Sequence, residues 1–182
     1  MNPSDRHRPD WHEYFMMLAK LAATRSTCLA FPVGAVIVKN KQILATGYNG
    51  PPSKSAHCID LGYCYPGLDS CSSSQSLPSR AVHAEANAIA QAAKSGESTS
   101  GAKIYVTLEP CLNCLKLIIS AGIAEVFYET PSSKKGNAVV RDIFLDEQLV
   151  KLNRIELSEK TIALAISSLQ NQTSSLTMLN LG

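Results

Sequence analysis

Between residues 104 and 128 the chain runs through Ile104-Tyr105-Val106-Thr107-Leu108, a helix-length segment over 112–121 closed by Gly122, and Glu125-Val126-Phe127-Tyr128. Two strand-forming runs joined only by a helix cannot make a hairpin, so they pair in parallel through a right-handed crossover. Such a unit demands an α/β sheet with helices packed on its faces. The 182 residues have room for one domain with peripheral additions, and 45% hydrophobic against 18% charged residues is a globular balance. Asp10 and Glu13 form a capping box ahead of Trp11, Tyr14, Phe15, Leu18, Leu21 and Ala22 at helical spacing, which predicts a helix over 10–26. Residues 33–38 are a short run rich in β-branched residues, a polar turn follows at 39–41, and 42–48 returns as the antiparallel partner. Residues 84–94 read as an Ala-rich helix with Gly96 at its end, 141–150 and 159–169 as two more helices, and 154–157 as an edge strand. The uncharged stretch 171–182 is expected to be a flexible tail, which leaves the domain 8–170.

Residues 51–80 show no sustained period and hold three of the six cysteines. An insertion of that length in a compact domain needs a tie other than a hydrophobic core. The first ten residues are polar with no cleavage site behind them, and the longest run free of charged, amide or hydroxyl side chains, 28–38, contains Pro32 and Gly34. It is about half of what a membrane span needs, so we expect a cytoplasmic protein with no membrane partner. Disulfides are then not expected, and six cysteines point to metal or catalytic chemistry. A net charge of +2 gives no basis for binding duplex nucleic acid.

His83-Ala84-Glu85 opens the 84–94 helix, and Thr107-Leu108-Glu109-Pro110-Cys111-Leu112-Asn113-Cys114 joins a strand to the next helix. With Pro110 in the first turn, Cys111 and Cys114 fall one turn apart on the same side, at the helix end that favours thiolate. One imidazole and two thiolates are one ligand short of a closed structural zinc shell and leave a position for water. Glu85 points away from that set and is free to carry a proton between water and substrate. The chemistry is hydrolytic attack on a carbon bearing an amino group, and H-x-E with P-C-x-x-C is the signature of the zinc deaminases. A redox Cys-x-x-Cys pair would need neither His83 nor Glu85, and a purely structural zinc site would leave Glu85 an ordinary helix N-terminal carboxylate. The four remaining cysteines, Cys28, Cys58, Cys64 and Cys71, are the number that a second, closed zinc site requires, with His57 as a substitute ligand.

The chain resembles the cytidine deaminase-like superfamily, and within it the deoxycytidylate (dCMP) deaminases. The resemblance covers about residues 8–129 and is carried by Arg8-Pro9-Asp10-Trp11, Arg25-Ser26-Thr27-Cys28, Val33-Gly34-Ala35-Val36, Thr46-Gly47-Tyr48-Asn49-Gly50-Pro51-Pro52, His83-Ala84-Glu85-Ala86-Asn87-Ala88 and Ala121-Gly122-Ile123. It implies a three-layer α/β/α fold with a central mixed five-stranded sheet, catalytic zinc on His83, Cys111 and Cys114, and Glu85 as proton shuttle. It further implies that Asn49 contacts the sugar or base, that the Ala84 N–H holds the pyrimidine carbonyl, and that a second zinc uses the positions of Cys28 and Cys58. Family members are often hexamers switched by dCTP and dTTP near the segment matching Gly47, Tyr48, Asn49 and Gly50. The expected activity is deamination of dCMP to dUMP and ammonia, supplying dUMP for thymidylate synthesis, with the substrate phosphate met by Arg25, Lys54, Arg80 or Lys116. The alternatives are a deaminase of another nucleobase, nucleoside or tRNA, or a non-catalytic, zinc-stabilised nucleotide sensor. An RNA substrate finds little support in 6% aromatic residues.

Overall fold

The alternation of side chains along the strands decides the layers. Ala35 and Ile37 of β1 (Gly34–Lys39), Ile104 and Val106 of β3 (Lys103–Leu108) and Val126 of β4 (Glu125–Thr130) face one way, and Val36, Val38, Tyr105 and Phe127 face the other. The computed structural model describes residues 7–65, 79–132 and 138–176. The strands form one sheet in the order β2-β1-β3-β4-β5, where β2 is Gln42–Tyr48 and β5 is Lys151–Arg154. β1 is antiparallel to both β2 and β3, whereas β3–β4 and β4–β5 are parallel, which is the mixed five-stranded sheet expected. One face is covered by α1 (Trp11–Ala23), whose Phe15, Met16 and Ala19 pack on Val36, Val38, Tyr105 and Phe127. The opposite face takes α3 (Ala84–Lys94) and α4 (Leu112–Ser120), through Ala84, Ala88, Ala92, Leu115 and Ile118. The result is three layers, α/β/α.

The crossover from β3 through α4 to β4 is parallel, as its length requires, and Gly122 at φ 71° ends the helix turn. In the hairpin Lys39 pairs with Gln42, so the turn is two residues, Asn40 and Lys41 at φ 52° and 64°, rather than three. Inside the 51–80 insertion lies a single-turn helix, α2 (Cys58–Leu61). The C-terminal third departs from expectation. The predicted helix over 141–150 is α5, Ala138–Asp146, and Gln148 at φ 57° turns the chain so that Val150 is buried beneath the sheet. The predicted edge strand 154–157 lies three residues too late, because Lys151 N–H bonds Ala124 C=O and sets β5 at Lys151–Arg154. The last helix, α6 (Glu159–Leu176), runs beyond the predicted 169 into the stretch read as tail. Among the described residues no helix is long and apolar enough to cross a membrane.

The capping box forms as read, with Glu13 N–H donating to Asp10 Oδ1 at 2.8 Å and Asp10 N–H to Glu13 Oε2 at 3.2 Å. Glu13 Oε1 also accepts from the Ser158 hydroxyl at 2.7 Å and the Ser158 N–H at 3.1 Å, which ties α1 to the start of α6. The Ser158 hydroxyl bond, above all, holds the Glu13 carboxyl down at about 2. A carboxylate depressed on folding stabilises above its unfolded value of about 4.3, and that contribution fades as pH falls toward 2. Ser158→Ala is therefore expected to lower the melting temperature at neutral pH by about 2–4 °C. The gap to the wild type should narrow as pH falls from about 5 toward 2, leaving the loss of the Ser158 hydroxyl's bonds to Thr161 at the start of α6. A gap that stays constant through this window would refute the assignment.

Candidate active site

Two helix N-termini bring the signature residues together. His83 precedes α3 and Cys111 precedes α4, both in extended backbone, and neither side chain caps its helix. Pro110 thus sits just before the cap residue rather than inside the first turn. Nδ1 of His83 lies 3.6 Å from Cys111 Sγ and 3.4 Å from Cys114 Sγ, and the three donor atoms all fall within 4.8 Å of one another. Zinc bonds of about 2.0–2.3 Å at tetrahedral angles separate neighbouring ligands by about 3.3–3.8 Å, so the geometry fits that ion. The donor chemistry fits too. The Cys111 thiol is drawn down to about 3, first by the bond from Cys114, while donation to Cys111, burial and the nearby Glu85 carboxyl push Cys114 up. The pair shares a proton that a divalent cation would displace.

Glu85, in the first turn of α3, is 4% exposed, and burial is the main force raising its pKa. The helix N-terminus would by itself favour the carboxylate; burial wins and makes this a carboxyl able to hold a proton and give it up. Its charge acts on Cys114 and Cys111, so it lies beside the ligand set. Asn49, 6% exposed, accepts the Ala84 N–H at 2.8 Å through Oδ1 and donates to the Phe31 carbonyl at 3.0 Å. The two groups expected to meet the substrate therefore meet each other at the α3 N-terminus.

The neighbouring positions have structural partners. Gly47 lies directly under α3, the Tyr48 carbonyl accepts from Asn87 Nδ2 at 2.8 Å, and Gly50 exchanges backbone bonds with Val82. Asn87 escaped the sequence reading as a site residue. Its one signal was a polar side chain four residues beyond His83, on the turn that the ligand opens. Cys58 and Cys64 are buried, Cys28 is half-buried, and burial together with the two neighbouring thiols raises the Cys58 pKa. Cys71 lies outside the described residues. His57 caps α2 at its N-terminus, and its Nδ1 faces Thr27 Oγ1 at 3.1 Å. Of the cations weighed for a phosphate, Arg25, Lys54 and Lys116 are exposed. Arg80, over the Tyr65 ring and donating its backbone N–H to Cys64 Sγ, has a buried Nη1 that meets no hydrogen-bond partner among the described residues.

Residues 9–130 match the family model for the cytidine and deoxycytidylate deaminase zinc-binding region. The chain is 42% identical over 161 residues to ComE operon protein 2 of Bacillus subtilis, a match covering 83% of this chain and 81% of that protein. It is 44% identical over 129 residues to the deoxycytidylate deaminase of Mycobacterium phage D29, covering 69% of this chain and 98% of the phage protein. The dCMP deaminase of cyanophage S-TIM5, solved in complex with dCMP and dUMP, superposes with a TM-score of 0.66 at 32% identity, covering 82% of this chain and all of that one. A helix-borne His-x-Glu facing a Cys-x-x-Cys at ligand distance, on a mixed sheet shared with these proteins, leaves one assignment: the chain belongs to the family of zinc-binding cytidine and deoxycytidylate deaminases.

Proposed function

We propose that this chain is a zinc-dependent deaminase that converts dCMP and water to dUMP and ammonia. The observation that carries the reading is Glu85, a buried carboxyl beside a His83-Cys111-Cys114 set spaced for zinc. Held by those three residues, zinc supplies Lewis-acid activation of water near neutral pH. Glu85 takes a proton from the attacking water and delivers it to the ring nitrogen next to the reacting carbon. As the carbon–nitrogen bond breaks, Glu85 takes the proton of the newly added hydroxyl and passes it to the amino group, which leaves as ammonia while the carbon keeps the oxygen as a carbonyl. The Ala84 N–H receives the pyrimidine carbonyl and Asn49 the sugar or base, each exchanging its present bond with the other for one to the substrate.

The preference for dCMP over other amines rests on the named relatives and on Arg80, a cation with a buried guanidinium nitrogen that meets no partner among the described residues. Assembly as a homo-oligomer, response to dCTP and dTTP, and a cytoplasmic setting extend the same reading. So does a second, structural zinc on Cys28, Cys58, Cys64 and Cys71, supported by the neighbouring thiols of the first three. Ammonia release from dCMP, deoxycytidine, cytosine and an adenosine-bearing tRNA loop, each with and without dCTP, tests the reading. Turnover confined to dCMP is the expected result. Turnover of another member of the set reassigns the substrate, and silence on all of them from zinc-loaded protein overturns the enzyme reading. Two zinc ions per chain by elemental analysis would agree with the second site, and one would remove it.

A further inference from the structure

The mechanism leaves one buried charge unused. Glu109, 8% exposed, stands two residues before the ligand Cys111 at the end of β3. Its N–H bonds the Thr130 carbonyl at 2.8 Å, one carboxylate oxygen accepts the Ser132 N–H at 2.9 Å, and the other pairs with Nη1 of Arg141 on α5. This residue is thus pinned to the end of β4 through both backbone and side chain, and to a helix 32 positions along the chain. Only Pro110, buried and with its φ fixed by the ring, separates the pin from Cys111. Buried ion pairs are a poor way to stabilise a fold, since apolar replacements of similar volume often do as well or better. A carboxylate held on two sides does what an apolar side chain cannot: it fixes the direction in which the chain leaves the strand.

We infer that Glu109 is a positioning residue for the metal centre, and that its clamp by Arg141 and the Ser132 N–H sets where the Cys111 thiol meets His83. The inference rests on the proposed zinc site and links α5, which carries no ligand, to that site. Groups that orient metal ligands from outside the inner shell typically change metal affinity by about 10–100-fold when removed.

Zinc affinity, measured by competition with a chromophoric chelator on purified protein, tests this independently of turnover. Glu109→Ala and Arg141→Ala are each expected to weaken zinc binding about tenfold or more, and the double variant no further than the worse single one. Should Glu109→Ala fail to fold, Glu109→Gln, which still accepts the Ser132 N–H, joins Arg141→Ala with an expected weakening of about threefold to tenfold. Wild-type zinc affinity in the folded variants, with only a lower melting temperature, would make the clamp a fold contact and overturn the inference. So would losses that simply add in the double variant. Wild-type protein that takes up no zinc sinks the functional reading and this inference with it, whereas zinc-loaded wild type beside unaffected variants sinks this inference alone.

Discussion

Replacing Glu85 by Ala is expected to lower kcat on dCMP by about 10²–10⁴-fold or more while zinc stays bound. The separation follows from the geometry. His83, Cys111 and Cys114 supply the donor atoms within 4.8 Å of one another, and Glu85 lies against that set without belonging to it. In the proposed mechanism it moves protons between water, ring nitrogen and leaving group, an interaction made mainly in the transition state, so kcat and kcat/KM should fall together with KM little changed. Glu85→Gln is the sharper variant: it keeps the shape and the hydrogen-bonding oxygen, fills the same buried space and cannot carry the proton. It should be as inactive as the alanine variant while melting closer to the wild type. Retained turnover in either variant would move the proton shuttle elsewhere. Loss of zinc in both would make Glu85 part of the metal's own support.

How far sequence alone reaches is clear from which residues it placed and which it missed. α3 emerged at its true bounds because the information is local: an extended His83, a run dominated by alanine, and Gly96, which adopts φ 74° after the cap. The gathering of His83, Cys111 and Cys114 into a group able to hold a metal was legible for the same reason, since a helix start and a Cys-x-x-Cys spacing fix where side chains point. α5 and β5 were misplaced because the turn between them is made by Gln148 at φ 57°, a residue type that does not announce a left-handed turn, and because a four-residue edge strand is positioned by its neighbour rather than by its own pattern. Glu109 and Asn87 look like ordinary polar residues in a linear reading. Their meaning lies in partners such as Arg141 and the Tyr48 carbonyl, 32 and 39 positions away, which only the folded chain brings within reach.

Gly47→Ala should damage the site without touching a ligand. Gly47 lies on β2 beneath α3, where a Cβ would stand 2.2 Å from the Ala84 carbonyl oxygen and 2.4 Å from the Ala88 nitrogen, against an ordinary contact of 3.4–4 Å. Both obstacles are backbone, so no rotamer change relieves the clash and the start of α3 must retreat by about 1 Å. That stretch carries His83, the Ala84 N–H and Glu85, and a misplacement of about 1 Å in a catalytic constellation lowers rate by about 10²-fold. Overpacking adds a loss of about 1–3 kcal/mol in stability. We therefore expect kcat of the folded variant to fall by about two orders of magnitude and the melting temperature to drop by several degrees, each roughly 1 kcal/mol being about 2–4 °C in a domain of this size. Gly96→Ala is the control: its φ of 74° strains any side chain, but the space is open and lies at the far end of α3, so stability should fall with turnover unchanged. A Gly47→Ala enzyme with wild-type kcat that has lost only its response to dCTP would give Gly47 an effector role in place of the packing role argued from these distances.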